Sequence, residues 1–363
     1  MPTAPTAEDA LTKAPDKRGG PGFFAELADS VRPRTVVLVV GVLLLQLGFI
    51  LSYVGAFHAP TPSNVPIAVV GPAQVAGQLA AQLNAAPSHP LEVTALTDEQ
   101  DAQRRVRNGD LSAALIINVS GTQDRLLVAS GGGASVVTAV EQVITQAESG
   151  RQRTVSVDDV VPLQPGDARG LTGFYLAIGW IVGGLYLAAL LGIAAGARPS
   201  SVRRAAYRLM AAVPYSILSG LGDALIVDQL LGALTGHFLA LWWLGALVVF
   251  GAAAVTIAFQ VLLGIVGIGL ALLLLVVLGN PSAGGAYQPA LLPPFWRSIS
   301  GALPNGAATD ATRRIVYFGA GGITTQLIVL AAYAVGAVLV SLGGTALMRR
   351  RAAAVDAVTG TRA

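Results

Sequence analysis

Four polar side chains lie in an apolar part of the sequence, at Ser216, Ser219, Asp223 and Asp228. Charged groups within a membrane span are costly and usually face a bundle interior or a water-filled path. Ser216, Ser219 and Asp223 recur at i, i+3 and i+7, so they share one face of a helix. Asp228 is five residues further on, roughly 140° around the helix, so the two carboxylates do not form a paired acid–base site. The first three predict a polar path for a substrate or proton, or a hydrogen bond across a helix bundle.

Asp228 differs from the other three because it lies near the predicted end of its span. Gln229 and His237 are close by in sequence. We therefore interpret Asp228 either as a further part of the path or as a residue that reaches interfacial water.

Other chemistry has little support in the sequence. The chain has no cysteine, which excludes disulfides and thiolate metal sites, and it has no G-x-x-x-x-G-K-[ST] phosphate loop. The run Gly131-Gly132-Gly133 precedes a predicted helix and could hold an anion at the helix N-terminus, or be a plain flexible loop. The net charge of +3 is too small to indicate nucleic acid. We expect no enzyme activity, no cofactor and no metal.

The composition indicates a membrane protein, since 53% of residues are apolar and 12% are charged, against roughly 25% charged in soluble domains. A span needs about 20 apolar residues. Gln260 and Gly264 mark the reversal within one long apolar stretch. Six spans are predicted: Thr35–Phe57, Leu171–Ala197, Met210–Leu234, Phe238–Ala258, Val261–Gly279 and Ile323–Met348.

Basic residues predict the orientation of these spans. They cluster before the first span, between the second and third, and after the last, which six crossings place on one side. The positive-inside rule makes that side cytoplasmic, so both termini are predicted inside and residues 58–170 outside. Abundant Ala, Gly and Arg are typical of a high-GC bacterium, hence a bacterial plasma membrane. The clusters are Lys13, Lys17, Arg18, Arg32 and Arg34; Arg198, Arg203, Arg204 and Arg208; and Arg349, Arg350 and Arg351.

Three segments are predicted to lie at the cytoplasmic side of the membrane. Residues 1–20 are rich in Pro, Thr and Ala and are predicted to be disordered. Residues 21–34 carry Phe23, Phe24, Leu27 and Val31 at helical spacing, which indicates an amphipathic helix at the inner membrane surface, or else a disordered tail. Residues 349–363 are predicted to be a cytoplasmic tail.

Residues 58–170 predict a compact α/β domain. Strand and helix patterns alternate in the order β-α-β-α-β-β-α-β, which indicates a small α/β sandwich. Thr97 is predicted to cap the second helix in a capping box with Gln100, and Gly109 to end it. The third strand is predicted over Ala113–Val119.

The predicted outer loop, residues 280–322, is apolar enough for partial immersion in the membrane. Pro293, Pro294 and Pro304 break any continuous span. A short re-entrant or surface-lying helix pair is therefore predicted. Arg313 and Arg314 could contact outer headgroups or be solvated.

The chain resembles the type-2 ABC exporter permeases, and more closely the YhgE/Pip-like membrane proteins. The resemblance rests on one leading span, an external α/β domain and five further spans. It also rests on two segments, NGDLSAALII at 108–117 and LGNPSAGGAYQPALLPPFWRSISGALPNG at 278–306. It implies a polytopic α-helical permease, acting as a homodimer, that exports a hydrophobic or amphipathic compound with a separate nucleotide-binding ATPase subunit.

The same resemblance leaves two alternatives open. The loop with Arg203, Arg204 and Arg208, expected to be exposed, would contact the ATPase; alternatively these residues set topology and bind anionic lipid. The competing function is a non-transporting YhgE/Pip-like protein whose external domain binds a partner, of the phage-receptor or secretion-apparatus type.

Overall fold

The computed structural model describes residues 33–359. The predicted disordered tail, 1–20, lies outside the described residues, as does the interfacial helix, 21–34, apart from the two residues that open the first long helix. The chain is mostly helical, with five helices long and apolar enough to cross a membrane and one small mixed sheet. The prediction of a membrane protein with an α/β domain is confirmed at this level.

The helices and strands follow one another in a simple order. The five long apolar helices are α1, α5, α6, α7 and α11. The helices are α1 Pro33–Phe57, α2 Ala73–Asn84, α3 Glu99–Arg107, α4 Ala134–Ser149, α5 Thr172–Ala195, α6 Val202–Leu230, α7 Phe238–Leu263, α8 Val266–Ser282, α9 Pro294–Ser300, α10 Pro304–Tyr317 and α11 Thr324–Thr359. The strands are β1 Val65–Val70, β2 Leu91–Leu96, β3 Ala113–Ile116, β4 Gln123–Val128 and β5 Thr154–Asp159.

The fifth predicted span differs from the structure. Helix α7 continues to Leu263, the chain reverses at Gly264 with a φ of 65°, and α8 is a shorter apolar helix. A Cβ on Gly267 would lie 2.2 Å from the Phe259 carbonyl, so α7 and α8 form a tight hairpin. Gln260 lies within α7 rather than in the turn, and its Nε2 donates to the Ala188 carbonyl across the bundle. A buried amide that finds a partner explains why this polar residue does not mark the reversal.

The last helix extends beyond its predicted span. α11 continues to Thr359, past the predicted span end at Met348. Arg349, Arg350 and Arg351, in the predicted cytoplasmic tail, are therefore helical.

The α/β domain confirms the predicted order of elements. Its sheet has the strand order β2-β1-β3-β4-β5, parallel except for the β3–β4 pair. Helices α2 and α4 pack on one face, with Ile67 and Val69, and α3 packs on the other, with Ala68 and Val70. The alternation along β1 thus places successive side chains in two cores.

Local boundaries in this domain differ by one to three residues. The α3 cap is Asp98, not Thr97, because the Asp98 carboxylate accepts from the Gln100 N–H at 2.8 Å. Strand β3 ends at Ile116 rather than Val119. Gly109 follows α3 with a φ of 75°, as its role as a stop predicts.

The helical bundle has two distinct ends. At one end the α5–α6 loop meets the α7–α8 turn, where Arg198 donates to the Leu262 carbonyl at 3.0 Å. Gly344 of α11 lies against Val261 at the same end. At the other end, contacts to the α/β domain and its exit segment include the bond from the Thr235 N–H to Gln164 at 2.7 Å. The α/β domain and the α5–α6 loop therefore lie at opposite ends of the bundle.

Residues 280–322 contain the predicted pair of short helices, α9 and α10. Helix α10 is mostly buried, with Ala308, Thr309 and Thr312 at its centre. It packs against α5, α7 and α11 rather than lying free on a surface.

Candidate functional site

Two of the predicted path residues on α6 are hydrogen-bonded to each other. Ser219 Oγ donates to Asp223 Oδ2 at 3.2 Å, and Ser216 Oγ donates to the Val213 carbonyl at 2.8 Å. Ser216 is buried, whereas Ser219 and Asp223 are half-buried at the surface of the bundle. Tyr215 Oη approaches the Gly183 carbonyl of α5 at 3.5 Å. The structure thus pairs Ser219 with Asp223, whereas Ser216 bonds within its own helix.

Asp228 is separate from the stripe that Ser219 and Asp223 form. It lies in the π-helical last turn of α6, only 7% exposed, and accepts from Gln229 Nε2 at 3.1 Å. Together with His237 it lines an open cavity of about 470 Å³. The expected neighbourhood of Asp228, Gln229 and His237 is present, although the carboxylate is more buried than a wet boundary implies.

The structure places Arg208 differently from the exposed position expected of it. Arg208 is 7% exposed, and its guanidinium donates to the carbonyls of Ala195, Gly196 and Ala197 at 2.9, 2.5 and 3.1 Å. The last carbonyls of a helix have no partner within the helix and carry partial negative charge. Arg208 therefore closes the C-terminus of α5 instead of facing a partner.

Arg203 and Arg204 do occupy an exposed position. They lie in the first turn of α6 beside exposed Tyr207. Ser201 caps this helix, since its Oγ accepts from the Arg204 N–H at 3.2 Å. The cap and Arg208 hold this turn firmly while leaving two guanidinium groups free to contact something outside the chain.

A second cluster, on α10 and the start of α11, was not predicted as a site. Asp310 accepts from Arg314 Nε at 3.0 Å and from Gln326 Nε2 at 2.5 Å. Arg313 is 11% exposed, and its Nη2 donates to the Gly284 carbonyl at 2.8 Å. These arginines bond within the chain, rather than extending to headgroups or bulk water as considered from the sequence.

Asp167 connects this cluster to the start of α5. Its carboxylate accepts from Thr172 N and Oγ1 at 2.9 and 2.7 Å, and from Tyr317 Oη at 2.7 Å. Tyr317 and Asp167 therefore hold the end of α10 against the start of α5.

The triple glycine is a contact surface for these elements. A Cβ on Gly131 would lie 2.5 Å from the Tyr317 ring, and one on Gly132 would lie 3.2 Å from Phe318. Gly133 has a φ of 148°, and its Cβ would collide with Gln288. Ser135 Oγ at the start of α4 donates to Gln288 Oε1. Packing against α10 and Gln288, rather than a bound anion, thus explains this sequence.

Two cavities flank the Asp310–Arg313 pair. The junction cavity, of about 270 Å³, lies between the α/β domain and α10 and includes Ser112, Val136 and Phe318 in its walls. The second, of about 290 Å³, lies beside α9 and α11. Asp310 and Arg313 line both. The sequence signal was only the pair Arg313-Arg314 after a buried helical face, and nothing local linked it to residues near 112 and 136.

A buried ion cluster occupies another part of the α/β domain. Arg153 donates to both Asp124 oxygens, from Nε at 2.6 Å and from Nη2 at 2.5 Å, and to the Asn118 carbonyl at 2.7 Å. Burial raises the pKa of Glu148, with Arg151 opposing and Asp124 adding to the shift. Burial acts in the same direction on Asp124, but its bonds to Arg153 and to the Asn118 N–H dominate and lower its pKa.

Within residues 33–359, no three His, Asp or Glu side chains converge in a way that could hold a metal ion. Comparison with protein-family models, with curated proteins and with solved structures gave no match.

Proposed function

We propose that the chain is the membrane-spanning subunit of an ABC-type exporter in a bacterial plasma membrane. It would move a hydrophobic or amphipathic compound out of the cell together with a separate ATPase. The observation that carries this proposal is that the two ends of the bundle differ. Basic residues are concentrated at one end, and the α/β domain lies at the other.

That polarity supports an inside and an outside. Arg203 and Arg204, in the first turn of α6, lie at the end where Gly344 of α11 packs, five residues before Arg349-Arg350-Arg351. Basic residues on short loops favour the cytoplasmic side. The α/β domain would then be extracytoplasmic, and both termini cytoplasmic.

Six crossings are proposed, with α8 as the short one. Its residues 266–282 span roughly 25 Å at 1.5 Å per residue, slightly less than a hydrocarbon core of about 30 Å. The chain beyond α8 is not regular, and such backbone at membrane depth requires partners from the protein. Arg297 supplies them to the Pro289 and Leu292 carbonyls, and Arg313 to that of Gly284. Helices α8, α9 and α10 together would complete the fifth crossing.

The half-buried stripe supports passage or pairing of subunits. Asp223 lies seven residues before the end of α6, roughly 10 Å below it at 1.5 Å per residue. A carboxylate partly exposed at that depth needs water, a substrate or another protein beside it. We propose that Ser219 and Asp223 face the substrate path of a homodimer.

Arg203 and Arg204 are the proposed contact for the ATPase, and the test is co-purification in mild detergent. A subunit with a nucleotide-binding loop should co-purify stoichiometrically with the wild-type chain. The Arg203→Glu/Arg204→Glu variant should lose it, and Arg107→Glu, an exposed change in α3, should not. Repeated absence of an ATPase from the wild type would overturn the exporter and leave a receptor-like protein whose α/β domain binds a partner. If the double variant retained the ATPase, the two arginines would instead set the membrane topology or bind anionic lipid.

The path itself is tested by Asp223→Asn. In inverted membrane vesicles containing the complex, ATP-dependent uptake of a lipophilic fluorescent dye should fall at least tenfold. Uptake by the Asp228→Asn variant, which is changed outside the stripe, should fall less than threefold. Uptake by Asp223→Asn equal to wild type, at equal protein level, would exclude Asp223 from the path.

A further inference from the structure

Arg313 has more hydrogen-bond donors than partners. A guanidinium carries five N–H groups. Its Nη2 donates to the Gly284 carbonyl at 2.8 Å, but its Nη1 is 3.8 Å from Asp310 Oδ1, which is an ion pair beyond hydrogen-bond distance. The side chain is only 11% exposed and lines the junction cavity. Nearly buried donors are normally bonded, so the remaining N–H groups need an acceptor in a cavity.

The nearby carboxylates are committed elsewhere. Asp310 accepts from Arg314 at 3.0 Å and from Gln326. Asp167 accepts from Thr172 and from Tyr317 Oη. Around the junction cavity the charged wall residues are Arg313, Arg314 and Asp310, and Asp167 lines a neighbouring cavity with Arg313. Asp310 and Asp167 thus balance the charge of the two arginines but leave donors of Arg313 without a hydrogen bond.

The rest of the junction cavity is mainly apolar. Leu111, Val136 and Val137 are buried in its wall, and Phe318 lies at its edge. Its volume of about 270 Å³ is near the lower end of small-molecule sites, roughly 300–1,000 Å³. Such sites occur at domain junctions and combine an apolar wall with a few polar groups.

We infer that the junction cavity binds a small amphipathic anion, with its carboxylate or phosphate on Arg313 and its apolar part against Val136 and Val137. The anion could come from a free small acid or from the headgroup of an anionic lipid. The inference does not depend on whether the protein transports anything.

The test uses the full chain in non-ionic detergent and hydrogen–deuterium exchange. Octanoate is the amphipathic probe, octanol its neutral control and inorganic phosphate the anion alone. Octanoate should slow exchange in residues 109–112, 129–137 and 310–318 in a saturable way, and octanol should not. A second arm uses nanodiscs of phosphatidylcholine with or without phosphatidylglycerol. Arg313-dependent protection by phosphatidylglycerol alone would identify a lipid headgroup as the source.

Three variants decide the outcome. Arg313→Gln should raise the half-maximal octanoate concentration roughly tenfold to a hundredfold, as expected for the loss of a charged hydrogen bond. Ser112→Leu, which fills the cavity and leaves the charge, should also abolish saturable protection. Arg107→Gln removes a charge from exposed α3 and should bind as wild type.

Equal protection by octanol and octanoate would overturn the inference. So would unchanged half-maximal concentrations in both Arg313→Gln and Ser112→Leu. If Arg313→Gln does not fold, Ser112→Leu alone decides between a site in the cavity and binding elsewhere.

Discussion

Arginines at the two ends of the bundle are used in opposite ways. At the basic end, Arg208 is buried and donates to three carbonyls at the end of α5, and Arg198 donates to the Leu262 carbonyl at the end of α7. At the junction with the α/β domain, Arg313 is nearly as buried but makes one hydrogen bond. Burial alone therefore does not separate a structural arginine from a binding one; the number of satisfied donors does.

Helix ends explain the difference. The final carbonyls of α5 and α7 need donors from outside the helix, and Arg208 of α6 and Arg198 of the α5–α6 loop supply them. At the end of α10, Arg314 donates instead to the Gly321 carbonyl in the following loop, at 3.0 Å. Arg313, one residue earlier, points to the side of the helix and into cavities.

The largest effect is expected at Arg208. Replacing it in Arg208→Met leaves three buried carbonyls without their donor and should lower the free energy of unfolding by about 3 kcal/mol. Thermal unfolding in detergent, followed by tryptophan fluorescence, measures this because Trp180 is buried in α5. Arg203→Met, in the exposed first turn of α6, should change it by less than about 0.5 kcal/mol. Equal effects of the two variants would contradict the structural role of Arg208.

A smaller loss is expected where the junction relies on close packing instead of arginine bonds. Gly133→Ala introduces a Cβ at a φ of 148° and against Gln288, which should cost about 2 kcal/mol locally. Exchange at the start of α4 should accelerate. Gly150→Ala is the matched control, since Gly150 has an ordinary φ of −62° and its Cβ would meet nothing closer than 3.5 Å. If hydrogen exchange at the start of α4 is the same in both variants, the contact with Gln288 does not stabilise this helix.

Arg313→Gln should cost about 1 kcal/mol or less in ligand-free protein, because one hydrogen bond is lost while a nearly buried charge is removed. The same thermal unfolding assay as for Arg208→Met provides the comparison. A loss as large as that of Arg208→Met would remove the distinction between the two arginines.

The smallest effect concerns the pH dependence of stability around a third arginine, Arg153. Its acidic neighbour Glu148 has one buried carboxylate oxygen without a hydrogen bond. The pKa of Glu148 is raised above its ordinary 4.5 by burial. The folded state then binds this proton more tightly than the unfolded state, so stability falls as pH rises from 4.5 through the raised value. Asp124 acts oppositely: its pKa is lowered, so its contribution is present above 3.8 and lost as pH falls through the lowered value.

Glu148→Gln should therefore flatten the pH dependence of the α/β domain above pH 4.5, the ordinary pKa of glutamate. Exchange protection of β4, corrected for intrinsic rates, is the measurement. Glu141→Gln on the same helix should keep the wild-type slope. An unchanged slope in Glu148→Gln would assign the pH dependence to another group.

Features set by near neighbours in the chain were predictable. Alternating and helical apolar patterns predicted the order of the α/β domain, and Gly109 predicted the end of α3 because a left-handed backbone suits glycine. The i, i+3, i+7 spacing placed Ser219 and Asp223 on one face, where they are hydrogen-bonded.

Features set by distant contacts were not predictable. From the sequence, Arg208 is a charge close to a loop; its bonds to the end of α5 appear only in the structure. From the sequence, the triple glycine could be a flexible loop; its contacts with Tyr317 and Phe318 appear only in the structure. Helix α8 is shorter than the other apolar helices and is followed by α9 and α10. A hydropathy window averages over neighbouring residues and does not show where such short helices begin.

The segment before α9 also has a consequence for the order in which the protein is made. Leu291 completes the core of the α/β domain, and its carbonyl and that of Ala290 accept from the N–H groups of Thr61 and Ser63. Synthesis runs at about 5–20 residues per second, so the roughly 120 residues from 170 to 291 take about 6–25 s to follow the domain. During that interval the core of the α/β domain lacks Leu291 and is incomplete, so the domain is open to proteases and chaperones. Its maturation is complete only after three further long helices and α8 have been inserted.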